Sequence, residues 1–126
     1  MKLFHAVMVV GIVVLSFGCA SKEVKPTHSD AAQQEEIILA PSSFYEACEK
    51  LTPGQRVKFS FAASRPVDFN VHYHTTEGIT YPVKETAVES HSGELTAEAK
   101  AVYCCMWTND HMWPVSVACS FNIVEE

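Results

Sequence analysis

His72 and His74 are separated by one residue, and Met106 lies in a second apolar run further along the chain. Around the histidines the sequence alternates. Val67, Phe69, Val71 and Tyr73 are apolar, while Asp68, Asn70, His72 and His74 stand between them. Successive side chains of an extended strand point to opposite faces, so the two imidazoles share one face about 7 Å apart. If Tyr103, Cys105 and Trp107 face a core, Cys104 and Met106 face outward, and pairing of the two strands brings His72, His74 and Met106 to one surface. Two imidazoles and a soft thioether suit Cu(I), or Cu(II) with a weak axial Met. Copper is therefore the metal this pattern implies. Zinc ranks below it, because spacing fixes no third His, Cys or carboxylate. His111 and Met112, in the following loop, are further ligands on that reading. The plainer expectation is two solvated histidines, with Met106 used in packing, and histidines at their ordinary pKa would instead respond to pH.

The chain has five cysteines, Cys19, Cys48, Cys104, Cys105 and Cys119. Cys19 falls at an export-processing site, which leaves four for disulfides. A bridge between the neighbours Cys104 and Cys105 is disfavoured, because their side chains diverge on an extended strand. One of that pair is expected to reach Cys48 and the other Cys119. No C-x-x-C occurs, so thiol redox chemistry lacks its usual spacing. G-x-S-x-G, H-E-x-x-H and the P-loop are absent as well, and Ser90-His91-Ser92 gains no catalytic meaning from adjacency. No catalytic residue is assigned, and no enzymatic activity is expected. Trp107, Trp113, Tyr73 and Tyr81 either fill a core or line a binding surface.

The elements that must position these groups have a period of two. Residues 56–61 and 67–74 alternate, 79–83 contains Pro82 and reads as an edge strand, and 103–107 is densely apolar. Residues 115–123 form a long terminal strand, 37–39 a short early one, and 90–98 a turn with a short strand. The one helical candidate is 43–51, with Ser43 as cap, Glu46 three residues on, and Thr52-Pro53-Gly54 ending it. The expected fold is all-β, an antiparallel β-sandwich of about seven to eight strands over 35–126. The 126 residues suffice for one domain. A net charge of −6 with no Lys/Arg cluster argues against nucleic-acid binding.

Ahead of that domain, Lys2 precedes an almost unbroken apolar run over 3–17, shorter than the roughly 20 residues a bilayer span needs. Leu15-Ser16-Phe17-Gly18-Cys19 resembles a bacterial lipobox, with Ser16 where Leu is usual. The resemblance implies a lipoprotein signal peptide over 1–18 and lipid on Cys19, which would anchor the chain to a membrane. Ala20 following the Cys is similar to lipoproteins sent to the outer membrane. The competing reading is cleavage after Ala20, releasing a soluble periplasmic protein. Residues 19–34 are polar, contain Pro26, and read as a flexible tether.

Within the domain, Phe44-Tyr45-Glu46, Leu51, Pro53-Gly54-Gln55, the alternation at 57–61, and Tyr103 with Trp107-Thr108-Asn109 resemble a GOLD-type β-sandwich. That is the lumenal domain of p24 cargo-adaptor proteins, and the likeness covers most of 38–124. The family staples its first strand to its penultimate one. Ser43 and Met106 stand at the aligned places here, so the resemblance implies an equivalent staple shifted to Cys48 and Cys104. The N-x-H-Y-H and Y-C-x-M-W-x-N strands are also similar to secreted bacterial domains that bring a fold and no activity. The function expected is an exported, lipid-anchored, non-enzymatic binding module of the bacterial envelope, with an envelope protein or ligand as partner. The alternative is a periplasmic copper-binding domain using His72, His74 and Met106.

Overall fold

The computed structural model describes residues 34–124. The export segment, Cys19 and the tether up to residue 33 lie outside them. Six antiparallel strands follow in chain order: β1 Glu35–Leu39, β2 Ser43–Leu51, β3 Arg56–Thr75, β4 Gly78–Thr96, β5 Ala101–Asn109 and β6 Val115–Val124.

β3 organises the molecule. It pairs with β4 along one side, while on the other its first part (Arg56 to Ala63) pairs with β6 and its later part (Asp68 to Tyr73) with β5. The β3–β4 register shifts between Ala62 and Val67, where Pro66 has no N–H to give the ladder. At the next shift, between Val67 and Phe69, Ala87 takes a positive φ of 52°, and its N–H donates to Asp68 Oδ1 at 2.9 Å. β1 completes one side on β6 and β2 completes the other on β5.

The sheet curls so that the inner faces of its two halves meet. Phe59, Phe61, Val117 and Cys119 from one half share a buried cluster with Phe69, Val71, Cys105 and Trp107 from the other. The Phe61 and Trp107 rings meet edge-on at 6.0 Å. Each such fully buried large apolar side chain contributes about 1.5–3 kcal/mol. A second cluster joins Val57, near the start of β3, to Tyr73, near its end, together with Leu51, Ala97 and Tyr103. Both ends of β3 therefore lie at one end of the molecule, and the bend and the β1–β2 and β5–β6 loops lie at the other.

Three expectations are corrected. There are six strands among the described residues rather than seven or eight, because 56–61 and 67–74 are one bent strand. Likewise 79–83 and most of 90–98, up to Thr96, belong to the single strand β4. The helical candidate 43–51 is β2, which meets β5 residue for residue from Ser43↔Asn109 to Leu51↔Ala101. Partners along a whole strand outweigh a helix-capping signal worth about 1 kcal/mol. Finally, one disulfide forms among the described residues rather than two. Cys48 and Cys104 are direct cross-strand partners and are bridged, closing a sequence separation of 56 residues, which stabilises the fold by about 4 kcal/mol in the chain-entropy account. Alternation then turns Cys105 into the core, while Cys119 lies on β6, separated from β5 by β3. Both are free and buried. Burial raises the Cys105 thiol pKa, and burial with the nearby Glu35 pushes that of Cys119 up to about 11.

Candidate functional site

At the bend end, a single buried side chain ties three segments together. Asn109 closes β5 with no exposed surface. Its Nδ2 is directed at the carbonyls of Leu39 (3.3 Å), Ala40 (3.0 Å) and Trp113 (2.9 Å), and its Oδ1 accepts from the His111 N–H at 2.9 Å. The Ser42 N–H donates to the His111 carbonyl, and His111 Nε2 donates to the Pro66 carbonyl at 2.8 Å. Ser64 Oγ accepts from the Ser116 N–H, and the Arg65 guanidinium lies 5.3 Å over the Trp113 ring. The loop held this way displays apolar side chains to water: Met112 is 78% and Trp113 52% exposed. Ile38 and Phe44, on the strands entering and leaving the 40–42 turn, are exposed too. Exposed large apolar groups on a fixed frame are a feature of recognition surfaces.

The second arrangement covers the outer face of β2, β5 and β3. The register sets Glu46 opposite Met106 and Met106 opposite Asn70. In the next row Cys48 faces Cys104, and Cys104 faces His72. Tyr103, Cys105 and Trp107 are fully buried on the inner side, as the alternation predicts. His72, His74 and Met106 thus share one face on adjacent strands, with the two imidazoles 5.3 Å apart and edge-on. They do not gather symmetrically. Met106 stands diagonal to His72, and Asn70 Oδ1 lies 2.8 Å from His72 Nδ1. His72 Nε2 lies 3.5 Å from Glu46 Oε1 instead. Nor is His72 a solvated residue. It is 5% exposed, with Tyr81 packed 5.7 Å away, and loss of water lowers its pKa below 6.5 against the opposing pull of Glu46. His111 and Met112 belong to the bend end, where His111 is engaged with Pro66. Of the four aromatics singled out, Trp107 and Tyr73 are core, and Trp113 and Tyr81 reach solvent.

A cleft of about 730 Å³ runs between the β1 and β2 edges, lined by Glu35, Tyr45, Trp107 and Cys119 among others. The Tyr45 hydroxyl spans it to Glu35 at 3.2 Å.

Sequence reasoning missed Asn109 as an organiser and Glu46 as a partner of His72. Asn109 had a signal, since an Asn-Asp step opening a loop favours side chain-to-backbone bonding. Glu46 had none, because its neighbour across the sheet depends on which strands pair.

No family model matches the chain, and no curated protein matches it in sequence. Among solved structures it is similar to PliG of Aeromonas hydrophila, a periplasmic lysozyme inhibitor of g-type lysozyme. That match has 14% identity and a TM-score of 0.51, over 75% of this chain and 90% of PliG. It is also similar to the Yersinia pseudotuberculosis-derived mitogen YPM, with 7% identity and a TM-score of 0.52 over 75% of this chain and 88% of YPM. A third likeness is to PirA, with 11% identity and a TM-score of 0.52 over 78% of this chain and 100% of PirA. These likenesses define a class of fold, the antiparallel β-sandwich-like architecture, and carry no activity with them.

Proposed function

We propose that this chain is an exported, lipid-anchored, non-enzymatic binding module of the bacterial envelope that grips a partner protein with the bend end of its sheet. One observation carries the reading. Met112 and Trp113 are held in water by a loop that buried Asn109 fixes, so little freedom is lost when a partner covers them. The apolar run over 3–17, the lipobox-like residues ending at Cys19, and the Cys48–Cys104 bridge support an oxidising, extracytoplasmic setting. The polar stretch after Cys19 supports a tether that lets the domain reach its partner. The likeness to a periplasmic inhibitor of a lysozyme supports a protein as the class of ligand.

The experiment places a photo-crosslinking residue at position 112 in the full chain, in its cell envelope. Affinity for the partner recovered is then compared between the native chain and Met112→Ser/Trp113→Ser. The double variant is expected to bind at least about tenfold more weakly with unchanged thermal unfolding. Equal affinity, or a turnover activity lost with a single polar side chain, would refute the proposal. The intact mass of the exported chain separates acylated Cys19 from cleavage after Ala20.

Copper binding through His72, His74 and Met106 is a second reading, favoured by the adjacency of β3 and β5 that puts all three on one face. Its test is Cu(I) uptake by the native domain against His72→Ala/His74→Ala, and equal weak uptake by both would end it.

A further inference from the structure

We infer that Glu46, Cys48, Cys104 and His72 form a thiolate zinc site that becomes available when the Cys48–Cys104 disulfide is reduced. The site is separate from the bend end and does not depend on how that end is used. It requires neither His74 nor Met106.

The donors come from three paired strands. The Sγ atoms of Cys48 and Cys104 and a carboxylate oxygen of Glu46 all lie within 4.8 Å of one another. His72 faces Cys104 in the same row, and its Nε2 is 3.5 Å from Glu46 Oε1. Nitrogen and oxygen ligands about 2.0–2.1 Å from a tetrahedral zinc stand about 3.4 Å apart, so this edge already has the needed length. Two sulfurs at about 2.3 Å from the metal stand about 3.8 Å apart, a separation the cleaved bridge reaches by rotation about the Cα–Cβ bonds.

A separate observation points to a cation. Asn70 Oδ1 accepts from His72 Nδ1 at 2.8 Å, the kind of outer partner that fixes the tautomer of a metal-binding histidine. The Nε2 lone pair then faces the Glu46 carboxylate, and two acceptors confront each other. A cation between them satisfies both, and the sulfurs supply the soft remainder of the coordination shell.

Access favours the chemistry. Cys48 is exposed on the edge strand β2, whereas Cys104 is covered. A thiolate of a dithiol reductant attacks Cys48 Sγ, the S–S bond breaks, and Cys104 leaves as thiolate. The reductant's second thiol then displaces Cys48 and closes the reductant's own disulfide. Two electrons and two protons pass to the protein, and zinc binding releases two protons as both thiols ionise. Cys105 and Cys119 sit in the core, protonated, and do not compete.

The test reduces the folded chain with a phosphine under anaerobic conditions and titrates Co²⁺ as a spectroscopic stand-in for Zn²⁺. One equivalent is expected to give thiolate-to-metal charge-transfer and tetrahedral ligand-field bands, displaced by Zn²⁺, with none from the oxidised chain. Glu46→Gln and His72→Gln, which keep the disulfide, should each weaken binding about tenfold or more, whereas His74→Ala and Met106→Leu should leave it unchanged. Absence of the bands in the reduced chain overturns the inference. So does equal binding by the Glu46 and His72 variants, or bands that survive Cys48→Ser/Cys104→Ser. A reduced chain that loses its near-ultraviolet circular dichroism and does not regain it with Zn²⁺ overturns it too.

Discussion

His72 loses its water because Tyr81 and His74 pack on it and Cys104 faces it across the strand pair. Desolvation disfavours the charged imidazole and His74 adds to that effect, while the Glu46 carboxylate opposes it. The result is a pKa below 6.5 in the fold. Below pH 6.5, and down to that lowered value, the unfolded chain binds more protons at this site than the folded one. Stability contributed by His72 is therefore complete above pH 6.5 and is lost as the pH falls beneath it. The urea midpoint of the native chain is expected to decline as the pH falls below 6.5, and His72→Gln should flatten part of that decline. An identical slope in the variant would show that the imidazole does not carry it.

β4 illustrates how an element can depend on the absence of a side chain. Gly93 pairs with Phe59, and a Cβ built on Gly93 would lie 2.7 Å from Phe59 Cζ. The Phe59 ring is itself wedged between Phe69 at 5.6 Å and His91 at 5.8 Å, so it cannot swing aside without disturbing the core. Gly93→Ala is expected to destabilise the fold by about 1–3 kcal/mol, read as a lowered denaturant midpoint with an unchanged slope. An unaffected midpoint would mean that Phe59 has another low-energy rotamer available. Elsewhere β2 shows the opposite influence, since a stretch with helix-capping residues becomes a strand because β5 supplies it with hydrogen-bond partners and a covalent staple.

Across the whole molecule, the two halves of the curled sheet are joined at the bend end by the loops that Asn109 organises. Asn109→Ala would strip partners from the carbonyls of Leu39, Ala40 and Trp113 and from the His111 N–H. A loss of about 2–3 kcal/mol is expected by urea unfolding, since buried polar groups left unpaired cost about 1–3 kcal/mol each and water reaches some of these. Partner affinity should fall as well, although Met112 and Trp113 are untouched, because the loop that presents them is freed. Loss of stability with full affinity would separate the scaffold from the grip.

Alternation made both arms of β3 and the whole of β6 legible, and with them the inward Val67 and Phe69, because a two-residue period is a local property of the chain, while β5 was legible from its apolar density. The placing of His72 and His74 on one face followed from that same period, whereas bringing Met106 beside them took the pairing of β3 with β5. The number of strands was not legible, because a bent strand and two short strands share one alternating pattern and differ only in whether pairing continues through the bend. The split fate of the cysteines was decided in space. Cys104 found Cys48 because β2 chose β5, and Cys105 and Cys119 were left unbridged in the shared core cluster. Glu46 beside His72, and the carbonyls that meet Asn109, are contacts between residues far apart in sequence. Local composition cannot encode such contacts; strand order and register create them.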